Sequence, residues 1–258
     1  MRRIIIEEPL SASAVWARRL AVFALALAGI GVALARARPA EALAGLSVLS
    51  VAILIAVGAL LFAAAGTVVI WRTGRRGVGE IMAAVFAATL LLAYPAYMAA
   101  QSIRLPLLND VSTDLVDPPA FSRSRAAMVA RGARPSDDVS ENTRDEQRRA
   151  YPDIQPIILD LEAEEAFPLL QRVIAAMHWQ IVDEIRPGGR TGVGHIDAID
   201  QSLILAFRHD VTIRIRPLAG QTRIDIRSVS RYGRHDFGGN AERIRKFGLE
   251  LQAQLDAR

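Results

Sequence analysis

The stretch "HDVTIRIRPLAGQTRIDIRSVSRYGRHDFGGNAER", residues 209–243, decides how the C-terminal part of this chain folds. Val211, Ile213 and Ile215 alternate with Thr212, Arg214 and Arg216, the period of two that marks a strand with one buried face. Ile224 and Ile226 alternate in the same way with Arg223, Asp225 and Arg227, and Arg231 continues that outer row. Two neighbouring strands are therefore expected to carry arginines on one surface. Between Arg208 and Arg234 there are seven Arg and two Asp, a local charge of +5. Such a surface attracts carboxylate, phosphate or an acidic partner. The competing reading is the wet face of a half-buried sheet with cross-strand Arg–Asp pairs. Gly238 and Gly239 then hand the chain to a helix, with Asn240 as the expected N-cap and Ile244, Phe247, Leu251 and Leu255 on its buried face.

Upstream of this stretch the same logic predicts an α+β domain over residues 153–258. "PIILDL" reads as a first strand, and Phe167, Leu170, Val173, Ile174 and Met177 recur at helical spacing. "WQIVDEI" reads as a strand and "RPGGRTG" as a turn. Residues 193–199, 203–208 and 211–216 are expected as further strands, with His209-Asp210 in the turn between the last two. The result is an antiparallel sheet with helices packed on one side. Residues 104–152 are expected to form a juxtamembrane segment and polar linker, with a short helix near residues 141–149.

The N-terminal part has a different character. Three uncharged runs, residues 20–35, 42–71 and 81–103, compare with roughly 20 residues for a membrane-spanning helix. They predict a three-span anchor over residues 16–103 behind a short segment of residues 1–15. Trp16 with Arg18 and Arg19 extends the first run by snorkelling. That run also admits a cleavable signal-peptide reading through Ala33-Leu34-Ala35. Small-xxx-small pairs such as Ala52/Ala56 and Ala59/Ala63 permit close helix contact but are common by chance in alanine-rich helices, so the oligomeric state stays open.

Charge follows the same division. Residues 1–103 hold nine Arg against four Glu, whereas residues 104–258 hold 22 basic against 23 acidic residues. The basic excess behind the sequence pI of about 10.1 therefore flanks the apolar runs, which gives no support to nucleic-acid binding. Arg2, Arg3, Arg18 and Arg19, and then Arg72, Arg75 and Arg76, outweigh Arg36, Arg38 and Arg104. The positive-inside rule then predicts a cytoplasmic N-terminus and an exported C-terminal domain, periplasmic in a multi-pass protein of a bacterial inner membrane.

The chemistry-bearing residues narrow the function classes. With 0 Cys there is no disulfide, thiolate nucleophile or sulfur-ligated zinc site. Asp110, Ser112 and Asp114 imitate the start of a calcium loop, but Leu115 and Phe121 stand where glycine and glutamate are needed. Asp and Ser there are expected to satisfy local backbone instead. His178, His195, His209 and His235 show no metalloprotease spacing, and "GGRTGVG" has the wrong spacing for a dinucleotide loop. No metal and no cofactor is expected. His235 and Asp236 are the catalytic candidates. Arg214, Arg216, Arg227, Arg231, Asp225, Asn240 and Arg243 are the candidates for ligand binding.

"NDVSTDLVDPPAF", "YPDIQPI", "DVTIRIRP" and "DIRSVSRYGRHDFGGNAERIRKF" resemble the signature blocks of the domain of unknown function 1499 family. The resemblance runs from about Asn109 to the C-terminus. In the last block Arg227, Ser228, Ser230, Arg231, Gly233, Asp236, Gly238, Asn240 and Arg243 match the pattern in order. It implies an exported or membrane-attached protein and carries no activity. The leading expectation is a membrane-embedded module that binds an envelope protein or an anionic ligand without catalysis. Two alternatives stand beside it: a periplasmic hydrolase using Asp and His near the last strand, and a lipid-binding module.

Overall fold

A computed structural model describes residues 8–37, 42–132, 139–188 and 192–257 of the chain. Arg2, Arg3, Arg38, residues 133–138 of the polar segment and Gly189-Arg190-Thr191 of the glycine-rich turn lie outside the described residues. The chain forms two compact units that divide near Ala100.

The first unit consists of α1 (Ala12–Ala37), α2 (Ala42–Thr73) and α3 (Val78–Arg104), each long and apolar enough to cross a membrane. Ala14, Ala17, Ala21, Ala24, Ala28, Gly31 and Ala35 are the buried residues of α1, a heptad series made only of small side chains. Ala42, Gly45, Ala52, Ala56, Ala59, Ala63 and Gly66 do the same on α2. The backbones approach so closely that a Cβ on Gly45 would meet the Gly31 carbonyl oxygen at 2.5 Å. Ala56, Ala59 and Ala63 are thus occupied within the chain, packing against α1 and α3 through Ala17, Ala21, Ala24, Ala84, Ala87 and Ala88, and Ala52 is buried as well. Arg18 of α1 and Glu80 of α3 form an ion pair at 2.9 Å.

The second unit adds β1 (Asp110–Ser112), α4 (Arg125–Arg131), α5 (Glu141–Ala150), β2 (Ile157–Leu159), α6 (Ala163–Ala176), β3 (Gln180–Ile185), β4 (Gly194–Gln201), β5 (Arg208–Pro217), β6 (Thr222–Ser230) and α7 (Gly239–Asp256). The sheet is antiparallel throughout, in the order β1-β6-β5-β4-β3, with β2 also pairing with β6. Val211, Ile213, Ile215, Ile224 and Ile226 line one face, where they meet Phe167, Leu170, Val173 and Ile174 of α6 and Ile244, Phe247 and Leu251 of α7. The alternation of the central strands and the one-sided placement of α6 and α7 follow the sequence pattern.

Three local expectations need correction. Residues 203–208 form no extra strand. Ser202 and Phe207 exchange hydrogen bonds of 2.9 Å that close a turn there, because an apolar run without alternation does not by itself specify a strand. His209 and Asp210 consequently lie inside β5, opposite Asp200 and Ile199 of β4. Asn240 is not the N-cap of α7; Gly238 takes that position with φ 80°, and Asn240 turns into the interior.

β1 was not foreseen. It pairs with residues 227–229 of β6, and its open edge is sealed by the buried side chain of Gln147 on the otherwise polar α5. Gln147 accepts from the Ser112 amide at 3.0 Å and donates to the Ser112 carbonyl at 2.6 Å, which imitates a neighbouring strand.

Candidate functional site

The residues singled out by the sequence separate onto the two faces of the sheet. Arg214, Arg216, Arg223, Asp225 and Arg227 project from the face opposite α6 and α7, but that face is not bare. The chain from Thr113 through α4 runs across it and brings acids to the arginines. Arg227 clamps Asp110 at 2.7 Å, and Arg223 reaches Asp114 at 2.8 Å. Arg214 contacts Asp114 at 3.2 Å, Asp117 at 2.8 Å and Asp225 at 2.9 Å. Arg231 pairs with Asp210 at 2.6 Å, and Arg131 of α4 pairs with Asp197 at 2.6 Å. Phe121 lies under the guanidinium groups of both Arg131 and Arg227.

Six arginines and six aspartates therefore balance one another on this face. Of the seven arginines counted along residues 208–234, Arg214, Arg216, Arg223, Arg227 and Arg231 thus meet carboxylates here, three of which (Asp110, Asp114 and Asp117) are distant in sequence. Burial tends to raise the Asp114 carboxyl, but the amides of Asp117 and Val116 with Arg223 and Arg214 outweigh it and hold the group below its ordinary value. For Asp210, burial prevails over Arg231 and pushes the carboxyl up. His195 Nε2 stands 2.8 Å from Asp197 Oδ1, yet outside hydrogen-bonding geometry. At the rim the balance loosens. Asp117 is 69% exposed while holding both Arg214 and Arg216, the latter at 3.3 Å.

The opposite face carries the second constellation. The Arg243 guanidinium binds Asp200 at 2.6 Å, Asn240 Oδ1 at 2.8 Å and Ser228 Oγ at 3.1 Å. Ser228 donates in turn to Asn240 Oδ1 at 2.9 Å. Asn240 Nδ2 donates to Ser230 Oγ at 3.1 Å and to the Asn109 carbonyl at 3.0 Å. Ser230 Oγ lies 3.0 Å from His209 Nδ1. Burial, with Arg243 and Arg231 nearby, lowers the His209 pKa to about 3, so this imidazole is neutral at physiological pH. A shallow groove opens beside the cluster, lined by Met177, Trp179, Arg243, Lys246 and Leu249.

The catalytic candidates sit at the entrance to α7 and are engaged by backbone. Asp236 accepts from the amides of Gly238 at 2.9 Å and Asn240 at 2.7 Å, which places a carboxylate on the positive end of the helix. His235 Nδ1 accepts from the Phe237 amide at 2.9 Å, and its ring stacks on Phe237. Among the described residues no group of three or more His, Cys, Asp or Glu is placed to hold a metal ion.

Sequence reasoning missed Asp110, Asp114, Asp117, Asp200 and Asp210 as partners of the arginines, and it missed the Arg131–Asp197 pair. The signal available was the surplus of arginine on strand faces, which buried pairing must neutralise. It also missed the groove, whose walls come from the end of α6, the start of β3 and the exposed side of α7.

The motif residues now have physical roles. Ser228, Ser230, Asn240 and Arg243 form one hydrogen-bonded cluster, Asp236 caps α7, and Arg227 and Arg231 anchor the covered face. Gly233 adopts φ 79°, and a Cβ on Gly238 would strike Leu105 Cδ1 at 2.9 Å. No curated protein matches the chain. Residues 110–251, just over half of the chain, match the family described as protein of unknown function (DUF1499), with every element from β1 to most of α7 inside the match, and the chain belongs to that family.

Proposed function

We propose that this protein is a membrane-anchored binding module, in which the three helices hold the second unit at a bacterial inner membrane and that unit receives an anionic ligand or an acidic partner without transforming it. The asymmetry of arginines around the helices supports a cytoplasmic N-terminus and a periplasmic sheet domain. One observation carries the binding reading. The exposed Asp117 carboxylate lies between Arg214 and Arg216, and Arg214 also donates to the Asp117 carbonyl at 2.8 Å. A ligand carboxylate or phosphate fits that same fork, replacing a side chain that stands at the exposed rim.

The hydrolase reading is less favoured by the geometry, since both Asp236 oxygens accept backbone amides and the nitrogen that His235 leaves free, Nε2, is buried.

Titration of the purified full chain with succinate and with inorganic phosphate tests the ligand site. Asp117→Asn should bind these anions more tightly than the parent, Arg216→Gln more weakly, and higher salt should reduce both. Equal and negligible binding by all three proteins would sink the anion reading. Placement is tested separately: alkaline phosphatase fused to the C-terminus should be active, and a cytoplasm-dependent fluorescent protein fused there should be dark.

A further inference from the structure

One segment of the family motif remains unused by the binding proposal. The loop between β6 and α7 is tied to the residues that directly follow α3. Asp236 donates its amide to the Leu108 carbonyl at 2.8 Å, and Asn109 Nδ2 donates to the Gly233 carbonyl at 3.0 Å. Ser230 and Asn240 both donate to the Asn109 carbonyl, at 2.8 Å and 3.0 Å. Leu105, the first residue beyond α3, packs on Gly238. Five residues span at most about 17 Å when fully extended, so connectivity alone keeps this loop close to the end of the helix.

The loop also presents apolar groups at a conformational cost. Phe237 adopts φ 53°, a left-handed conformation uncommon for a non-glycine residue, and its side chain is 39% exposed. Nearby in the clamped segment Leu107 is 54% exposed. Arg104 and Arg234 are exposed too, and neither has a carboxylate partner among the described residues. An outward aromatic and leucine flanked by arginines match the composition of the membrane–water interface, where apolar rings and chains sink below cationic groups that stay with the headgroups.

We infer that Phe237 and Leu107 form an interfacial lipid contact, which rests the β6–α7 loop on the headgroup layer of the bilayer that holds the anchor. This rests on the membrane-anchor part of the proposed function and is independent of the anion site. The motif loop then acts as a foot for the sheet domain.

The chain has 0 Cys, so each single cysteine substitution carries one spin label. Full-length Phe237→Cys and Leu107→Cys, labelled and reconstituted in 3:1 phosphatidylcholine:phosphatidylglycerol vesicles, are compared by power saturation with oxygen and with a water-soluble nickel chelate. Leu218→Cys in the β5–β6 turn is the soluble reference, and Leu54→Cys in α2 the bilayer reference. Both interfacial labels should show an oxygen-to-nickel accessibility ratio several-fold above that of position 218. If positions 107 and 237 match position 218 while position 54 is lipid-buried, the lipid contact is overturned and the anchor stands. If position 54 is itself water-accessible, the anchor reading fails and the contact fails with it. Leu107→Cys leaves the strained loop intact, so a folding defect in Phe237→Cys does not remove the test.

Discussion

On the face of the sheet away from α6 and α7, six arginines and six aspartates meet beneath residues 113–131; on the other face, Ser228, Ser230, Asn240 and Arg243 share hydrogen bonds beside α7. Both faces bury polar groups, but they satisfy them differently. The first relies on full charges from distant parts of the chain, so each member protects another from being a buried unpaired ion. The second relies mainly on neutral groups within 16 residues of one another, with a single Arg243–Asp200 pair at its edge. Loss of a partner should therefore be far more damaging on the first face.

The most severe way to test that difference is truncation. A fragment beginning at Tyr151 lacks Asp110, Asp114, Asp117 and Arg131, and so removes Asp110 from Arg227 and Arg131 from Asp197. It should show no cooperative melt by near-ultraviolet circular dichroism, whereas a fragment beginning at Leu105 should melt cooperatively. Comparable sharp transitions in both would mean that the charge-balanced face is dispensable.

Asp225→Asn in the full chain comes next. Asp225 is fully buried and holds both Arg214 and Arg223, so its neutralisation should cost about 3–5 kcal/mol, visible as a large fall in Tm. Asn240→Ala probes the other face. It removes the acceptor and donor shared among Ser228, Ser230, Arg243 and the Asn109 carbonyl, for an expected loss of about 1–3 kcal/mol in urea denaturation. A loss as large as that of Asp225→Asn would break the distinction between the two faces.

Acidification should produce a graded effect on the second face. The pKa of His209 is lowered to about 3 from the ordinary histidine value of 6.5, so the unfolded chain binds more protons between those values. Stability associated with His209 is complete above about pH 6.5 and declines as pH falls towards 3. Asp114, held below 3.8, adds to the decline only below about that pH, whereas the raised Asp210 opposes the decline above it. His209→Gln should flatten the stability profile between pH 6.5 and about pH 4.5; an unchanged slope would remove His209 as its cause. The smallest change is expected for Arg216→Gln, at the exposed rim, within about 0.5 kcal/mol of the parent in thermal melts.

Much of the architecture was legible because its signals are local. Uncharged runs too long for ordinary core helices marked α2 and α3, the shorter run at residues 20–35 with Trp16, Arg18 and Arg19 beside it marked α1, and Val211, Ile213 and Ile215 set against Arg214 and Arg216 marked β5 and its inward face. Residues 203–208 misled because an apolar run carries no period, and β1 escaped because three polar-flanked residues show no alternation to detect. The arginines were recognised as one row, but the acids that meet them lie up to 117 residues away.

The amino-acid sequence by itself determined the membrane-compatible helices, the strand faces, the absence of cysteine chemistry and the family, since each depends on composition, periodicity or a short ordered motif. Tertiary structure alone decided that Asp110, Asp114 and Asp117 close over the arginines, that Asp236 caps α7, and that Phe237 stands outward beside the residues leaving α3. Charge balance and exposure are sums over neighbours in space, and a linear sequence does not specify those neighbours until the strands have taken their register.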